Sequence, residues 1–380
     1  MAERGPSDGA RSSPAERQEA PGRGRRVVTP RPHNAETGLD ALRAPLTPAD
    51  SFYVRSNFPT PHLSATGHRL RVGGRVDRPA AFGLEELREL GSPVTRTVTL
   101  ECAGNGRTLL RPGVPGTPWT LGATSTARFT GVPLLRLLEA VGARPDAPEV
   151  LFTGADGGRV DGWGEISFQR SLPRETAFAE EDGPILAWAM NGAPLRPEHG
   201  APLRPVVPGW YAVASVKWLA AVDVLDEPFH GYFQTDRYRY VLPGAEPEPV
   251  RRMRVRSLIL EPSAGAEDDG SRAIVRVPAG RTRIAGIAWS GHGEVEGVRV
   301  SVDGGEGWRE AELAPPGPPH TPRRWSLAWE ATPGRHELVA RARDTGGNEQ
   351  PLEPWWNEQG YGNNVVHRVP VRIPDGGEAA

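Results

Sequence analysis

Residues 94–102, VTRTVTLEC, place Val94, Val98, Leu100 and Cys102 on one parity. Successive strand residues point to opposite faces, so this pattern predicts a strand whose buried face carries the thiol at its end. Gly104 and Gly106 then break the strand. In GVPLLRLLEAVGA (131–143), Leu134, Leu137, Leu138 and Val141 recur at helical spacing, with Pro133 near the start and Gly142 near the end. ILAWAMNGAPL (185–195) reads as a buried strand entering an Asn-Gly turn, with VASVKWLAAVDVL (213–225) as its partner strand. The stretch 49–63 mixes aromatics, charge and prolines and is expected to be extended with turns.

The pattern changes after LPGAEPEPVRRM (242–253), which reads as a linker. Val298, Val300 and Val302 alternate into the turn DGGEGW, and Val365, Val369, Val371 and Ile373 share a parity. Trp289, Trp308, Trp325 and Trp329 supply bulk at intervals. Short alternating strands with Gly and Pro turns predict an immunoglobulin-like β-sandwich of roughly 120 residues. The expected organisation is a disordered tail over 1–35, a mixed α/β domain over 36–245 and the sandwich over 250–375, an α+β protein.

Composition narrows the function. The chain has 380 residues, 46 Gly and 40 Pro, a formal charge of −2 and one cysteine, which excludes an intrachain disulfide. With no bulk basic character, no nucleic-acid partner is expected. No apolar run is long enough to span a membrane. The first 30 residues have no apolar core of a signal, so the cytoplasm is the default compartment, with the periplasm as the alternative. Of 45 basic residues only Lys217 is lysine, which makes any single Arg weak evidence and that Lys conspicuous.

Common chemistries fail on their motifs. HExxH, GxxxxGK[ST] and GxSxG are absent, and GNGRTL has leucine where a dinucleotide fingerprint needs its third glycine. What remains is Cys102 before a glycine turn that ends in Arg107. A guanidinium nearby favours the thiolate, which serves as a nucleophile or a soft metal ligand. A cysteine hydrolase with His199 as base and a thiolate-anchored metal or cofactor both stand, beside the plain alternative of an inert buried thiol.

The phrase ECAGNGR resembles the Cys-Ala-Gly-Asn-Arg-Arg turn of the sulfite oxidase family of molybdenum enzymes. SFYVRSNFPTP, PWTLGATSTARFTGVPLLRLL, MNGAPLRPEHGAPLRPVVPG followed by SVKWL, and SVDGG and PWWN near the C-terminus resemble further family segments in family order, from about residue 36 to about 374. The resemblance implies that Cys102 ligates molybdenum carried by one molybdopterin. It assigns Tyr53, Arg55, Ser56, Asn57, Asp156, His199, Arg204, Ser215, Val216 and Lys217 to the pterin, with charge-assisted bonds from His199, Arg204 and Lys217 to its phosphate. It puts Arg55 and Arg107 beside a substrate oxyanion, Trp119 in the pocket lining, and Tyr238 within hydrogen-bonding reach of substrate.

The implied reaction is two-electron oxygen-atom transfer, sulfite to sulfate, with electrons leaving to a separate acceptor, a cytochrome or small molecule. Neither haem nor flavin is expected in this chain, and a homodimer through the sandwich is. The same centre acting on nitrate or an S- or N-oxide is the alternative, as is a cofactor-bearing module without catalysis. The chain departs from the family pattern in three places. Gly106 replaces the first turn arginine, AVA (212–214) stands before the Val-Lys-Trp run, and Ser326 falls where the second domain supplies an arginine, with Arg324 as a possible substitute.

Overall fold

The computed structural model describes residues 24–242, 244–263 and 273–375. The first domain holds two five-stranded sheets. In one, Val94–Glu101 pairs with Thr124–Pro133, which pairs with Ile185–Met190, and both Ala193–Pro194 and Arg204–Val206 pair with that last strand. In the other, the order is Ala80–Phe82, Leu70–Gly74, Leu219–Val224, Glu149–Val160 and Gly164–Pro173. Helices are short, Leu134–Ala140 among them. Its Leu134, Leu137 and Leu138 are buried, Val141 follows them into the core, and Gly142 ends it at φ 65.

The second domain is a sandwich of a four-stranded and a five-stranded sheet. Ile259, Ile284, Trp325 and Trp329 of one sheet share a core with Val298, Leu338, Val369 and Val371 of the other, which is the packing the alternating valines predict. The domains are not separated by a free linker. Glu248–Pro249 pairs with Arg239–Tyr240, the buried Arg170 guanidinium donates to Val250 O, and Leu258, Ile287 and Trp289 join the first domain's core.

Two expectations are corrected. The strand Ile185–Met190 does not pair with 213–225. Residues 212–218 form a 3-10 turn and a bend, with Trp218 at φ 53 and its indole N–H on Pro197 O at 2.8 Å. Only Leu219–Val224 extends, and it pairs in the other sheet. Part of the stretch expected as a tail, 1–35, is instead a paired strand. Arg25–Thr29 pairs with Asn34–Thr37, held by an ion pair from Arg26 to the buried Glu36. Residues 1–23 of the expected tail lie outside the described residues. Among the described residues no helix is long and apolar enough to cross a membrane.

Candidate active site around Cys102

The strand Val94–Glu101 delivers Cys102 to the interior, where its N–H donates to Ala123 O at 2.8 Å. The turn that follows depends on its glycines. Gly106 is left-handed at φ 79, and a Cβ on Gly104 would lie 2.6 Å from the Arg107 guanidinium, which folds back across the turn. Arg107 donates to Thr117 O at 2.8 Å and Gln359 O at 3.1 Å.

Beside the thiol lies a cavity. Every residue expected at the pterin, together with Cys102 and Tyr238, lines it. Arg107 and Trp119 do not. Trp119 is fully buried in the core cluster that includes Cys102, and Arg107 is committed to the two carbonyls. Arg324 is also outside the cavity. It donates to Arg43 O at a separate groove, so it supplies no cation beside the thiol. Tyr238, not Tyr240, faces the cavity, while Tyr240 packs on Trp355.

The wall is pre-ordered by hydrogen bonds. Arg55 donates to Ser56 O, Asn57 Oδ1 and Asn34 Oδ1, and Asn57 Nδ2 donates to the Tyr238 hydroxyl at 3.2 Å. Lys217 Nζ donates to Ser56 Oγ at 3.0 Å and Glu198 O at 2.9 Å. Arg204 donates to His199 O and Ser215 O at 3.0 and 2.6 Å. Asn34, which fixes both Arg55 and the Ser56 N–H, and Glu198 and Phe168, which line the cavity, were not legible in sequence. Glu198 adjoins His199 and carried a weak signal; Phe168 carried none.

Burial sets the charges. It raises the Cys102 thiol, against the pull of Arg55, the Gly104 N–H and Arg107. It opposes the Arg55 charge, which Tyr238 and Cys102 nevertheless stabilise enough to raise its pKa. Burial, with Arg204 second, lowers Lys217. The His199 imidazole is pushed down to about 3 by burial, with its Nε2 on Ala49 O at 2.9 Å, so it is neutral. Arg204 and Lys217 are the other nitrogen donors in this part of the cavity.

Burial also lifts the Asp156 carboxyl to about 6 from its ordinary 3.8, so the folded chain keeps a proton the unfolded chain has released. The stability this confers is complete below the unfolded value and lost as pH rises through about 6. In urea unfolding of cofactor-free protein, Asp156→Asn is expected to exceed the parent at pH 7.5 by on the order of 2 kcal/mol and to match it near pH 4. Equal stability of the two proteins at pH 7.5 would refute the assignment.

The donor set fits a phosphorylated pterin. Asp156 Oδ1 is a buried acceptor and Arg204 Nε a buried donor, and neither has a hydrogen-bond partner among the described residues, which is the expected state of groups shaped for a polar ligand. Among the described residues no group of three His, Cys, Asp or Glu could enclose a metal, and Cys102 is a buried free thiol.

Comparison with known proteins agrees. Residues 57–233 match the family described as oxidoreductase molybdopterin binding domain, and residues 248–373 match the Mo-co oxidoreductase dimerisation domain. The chain is 35% identical to sulfite oxidase of Gallus gallus over 373 residues, covering 91% of this chain and 77% of that protein. It is 35% identical to the mitochondrial sulfite oxidase of Homo sapiens, covering 92% of this chain and 66% of that one. The crystal structure of the sulfane dehydrogenase SoxCD from Paracoccus pantotrophus superposes with a TM-score of 0.79 at 28% identity, covering 98% of this chain and 96% of that chain. The chain belongs to the sulfite oxidase family of molybdopterin-dependent oxidoreductases.

Proposed function

We propose that this protein oxidises sulfite to sulfate, the two electrons passing to a separate acceptor. The observation that carries this reading is the convergence of a buried thiol, the Arg55 guanidinium and the Tyr238 hydroxyl on one cavity. A molybdenum centre held by Cys102 Sγ and one molybdopterin would supply two-electron oxygen-atom transfer. The chain's own part is placement. Arg204 and Lys217 offer donors to the pterin phosphate, and Asp156 offers an acceptor to pterin N–H groups. Arg55, anchored through Ser56, Asn57 and Asn34, lines the cavity with a guanidinium whose charge suits an anionic substrate. Tyr238 adds one hydroxyl, oriented by Asn57.

The test is sulfite-dependent ferricyanide reduction by protein made in a molybdopterin-competent host, with molybdenum measured on the same sample. Turnover with about one metal per chain supports the reading. Metal without turnover rejects sulfite. A second reading, a less anionic sulfur compound or another oxyanion such as nitrate, is favoured by the engagement of Arg107 with Thr117 and Gln359 carbonyls, which leaves Arg55 as the guanidinium lining the substrate side. A nitrate reductase of Phaseolus vulgaris is 30% identical over 92% of this chain, which spans 42% of that protein.

The match of residues 248–373 to a dimerisation domain supports a homodimer. Light scattering is expected to give twice the 41.0 kDa chain mass, and a single chain mass would refute the dimer.

A further inference from the structure

A short loop of the second domain packs behind Tyr238, which lines the cavity. Gly360 and Gly362 both hold left-handed backbone, at φ 63 and 66. A Cβ at Gly360 would lie 2.4 Å from Val114, and one at Gly362 2.7 Å from the Tyr240 ring. Only glycine fits either place. Between them Tyr361 is fixed by Asn357, whose Nδ2 donates to Tyr361 O at 2.8 Å and whose Oδ1 accepts the Tyr361 N–H at 3.2 Å. The loop is tied to the Cys102 turn. Gly362 N–H donates to Ala103 O at 2.7 Å, Asn363 Nδ2 to Gly106 O at 2.7 Å, and Arg107 to Gln359 O at 3.1 Å.

The buried Tyr361 ring stacks on Tyr238 with centroids 4.8 Å apart and planes 18° apart. The Arg107 guanidinium sits over the same ring at 5.0 Å. Tyr238 needs such support, because it holds a positive φ of 58 that a bulky side chain adopts only under constraint. Its hydroxyl then meets Asn57, which Arg55 holds from the other side.

We propose that Tyr361 is a positioning residue for substrate, its ring set between Arg107 and Tyr238 so that the Tyr238 hydroxyl stands beside Asn57 and Arg55. The turned-away Arg107 thereby keeps a role, as the backing of the ring that places Tyr238. This deepens the oxyanion reading of the cavity and rests on it. A residue that only filled core would affect stability and leave the cavity's anion affinity alone.

The test compares Tyr361→Leu with Tyr361→Phe, each alone and combined with Tyr238→Phe. Tyr361→Leu is expected to raise KM for sulfite about three- to tenfold with kcat changed less than about twofold. In the Tyr238→Phe background the same change is expected to shift KM less than about twofold, because the group it positions is gone. Tyr361→Phe keeps the ring and is expected to restore KM to within about threefold of the parent. Sulfate, measured by calorimetry as a non-reacting anion, is expected to weaken by the same factors.

Additive losses in the two backgrounds, or a folded Tyr361→Leu with unchanged sulfate affinity, would overturn the proposal. A Phe variant as impaired as Leu would do so as well. If the parent oxidises no sulfite, the proposed function falls, while the sulfate affinities still decide the role of Tyr361. Near-UV circular dichroism reports folding, and Tyr361→Met replaces the Leu variant if that one fails to fold.

Discussion

Cys102→Ser is expected to abolish sulfite turnover, by more than roughly a hundredfold, while leaving the fold intact. Serine is close to cysteine in size, and the site is buried at a strand end whose backbone N–H is already paired with Ala123 O. Structure is therefore retained. What is lost is a soft thiolate, the only such ligand the chain has, and a serine hydroxyl stays protonated at neutral pH and binds a soft centre poorly. Pterin content is expected to fall less than turnover, because Arg204, Lys217 and Asp156 remain in place. Molybdenum and pterin assays beside the ferricyanide assay check this. A Ser variant that keeps parental turnover would remove Cys102 from the metal and with it the reading of the cavity.

The largest effect expected on stability comes from Arg256→Met. Arg256 crosses from the second domain to Glu101, the residue before the thiol, at 3.5 Å, and both side chains are almost fully buried. Glu101 also accepts from Asn105 Nδ2 at 3.0 Å and from Trp289 Nε1 at 2.9 Å, so one carboxylate ties the Cys102 turn to the sandwich. Burial already raises the Glu101 pKa, and Arg256 is the largest opposing influence. Removing the guanidinium leaves a buried charge without its counter-ion, a loss of about 3–5 kcal/mol in denaturant unfolding at pH 7. Arg256→Met with Glu101→Gln is expected to recover much of that loss, because the unpaired charge goes too. A double variant no more stable than Arg256→Met would refute the ion-pair account.

Gly106 belongs to the same contact. A Cβ there would lie 3.0 Å from the Arg256 guanidinium, so the glycine that departs from the family's turn is matched by an arginine from the other domain. No reading along the chain pairs positions 106 and 256, since their proximity exists only once the two domains dock.

Local periodicity and short-range motifs were legible in sequence because they are set by neighbours within a few residues. The parity of Val98, Leu100 and Cys102 foretold a buried strand, and Pro133 and Gly142 marked the helix between them. The resemblance of separate motifs foretold a cavity assembled from distant segments, and Tyr53, Asp156, Lys217 and Tyr238 do meet there. Strand partnership was not legible, because residues 213–225 read as one strand-like stretch until the Trp218 indole N–H is tied to Pro197 O and bends them out of line. Charge was not legible either. His199 is neutral because it is buried, and Asp156 holds its proton up to about pH 6 for the same reason, and burial is a property of the packed chain. Residue types and their order thus determined which chemistry the chain carries, by supplying one thiol, one lysine and the cofactor motifs. The turn of Arg107 toward Gln359 and the stacking of Tyr361 on Tyr238 were decided only by the docking of two domains, because those contacts join residues more than a hundred positions apart.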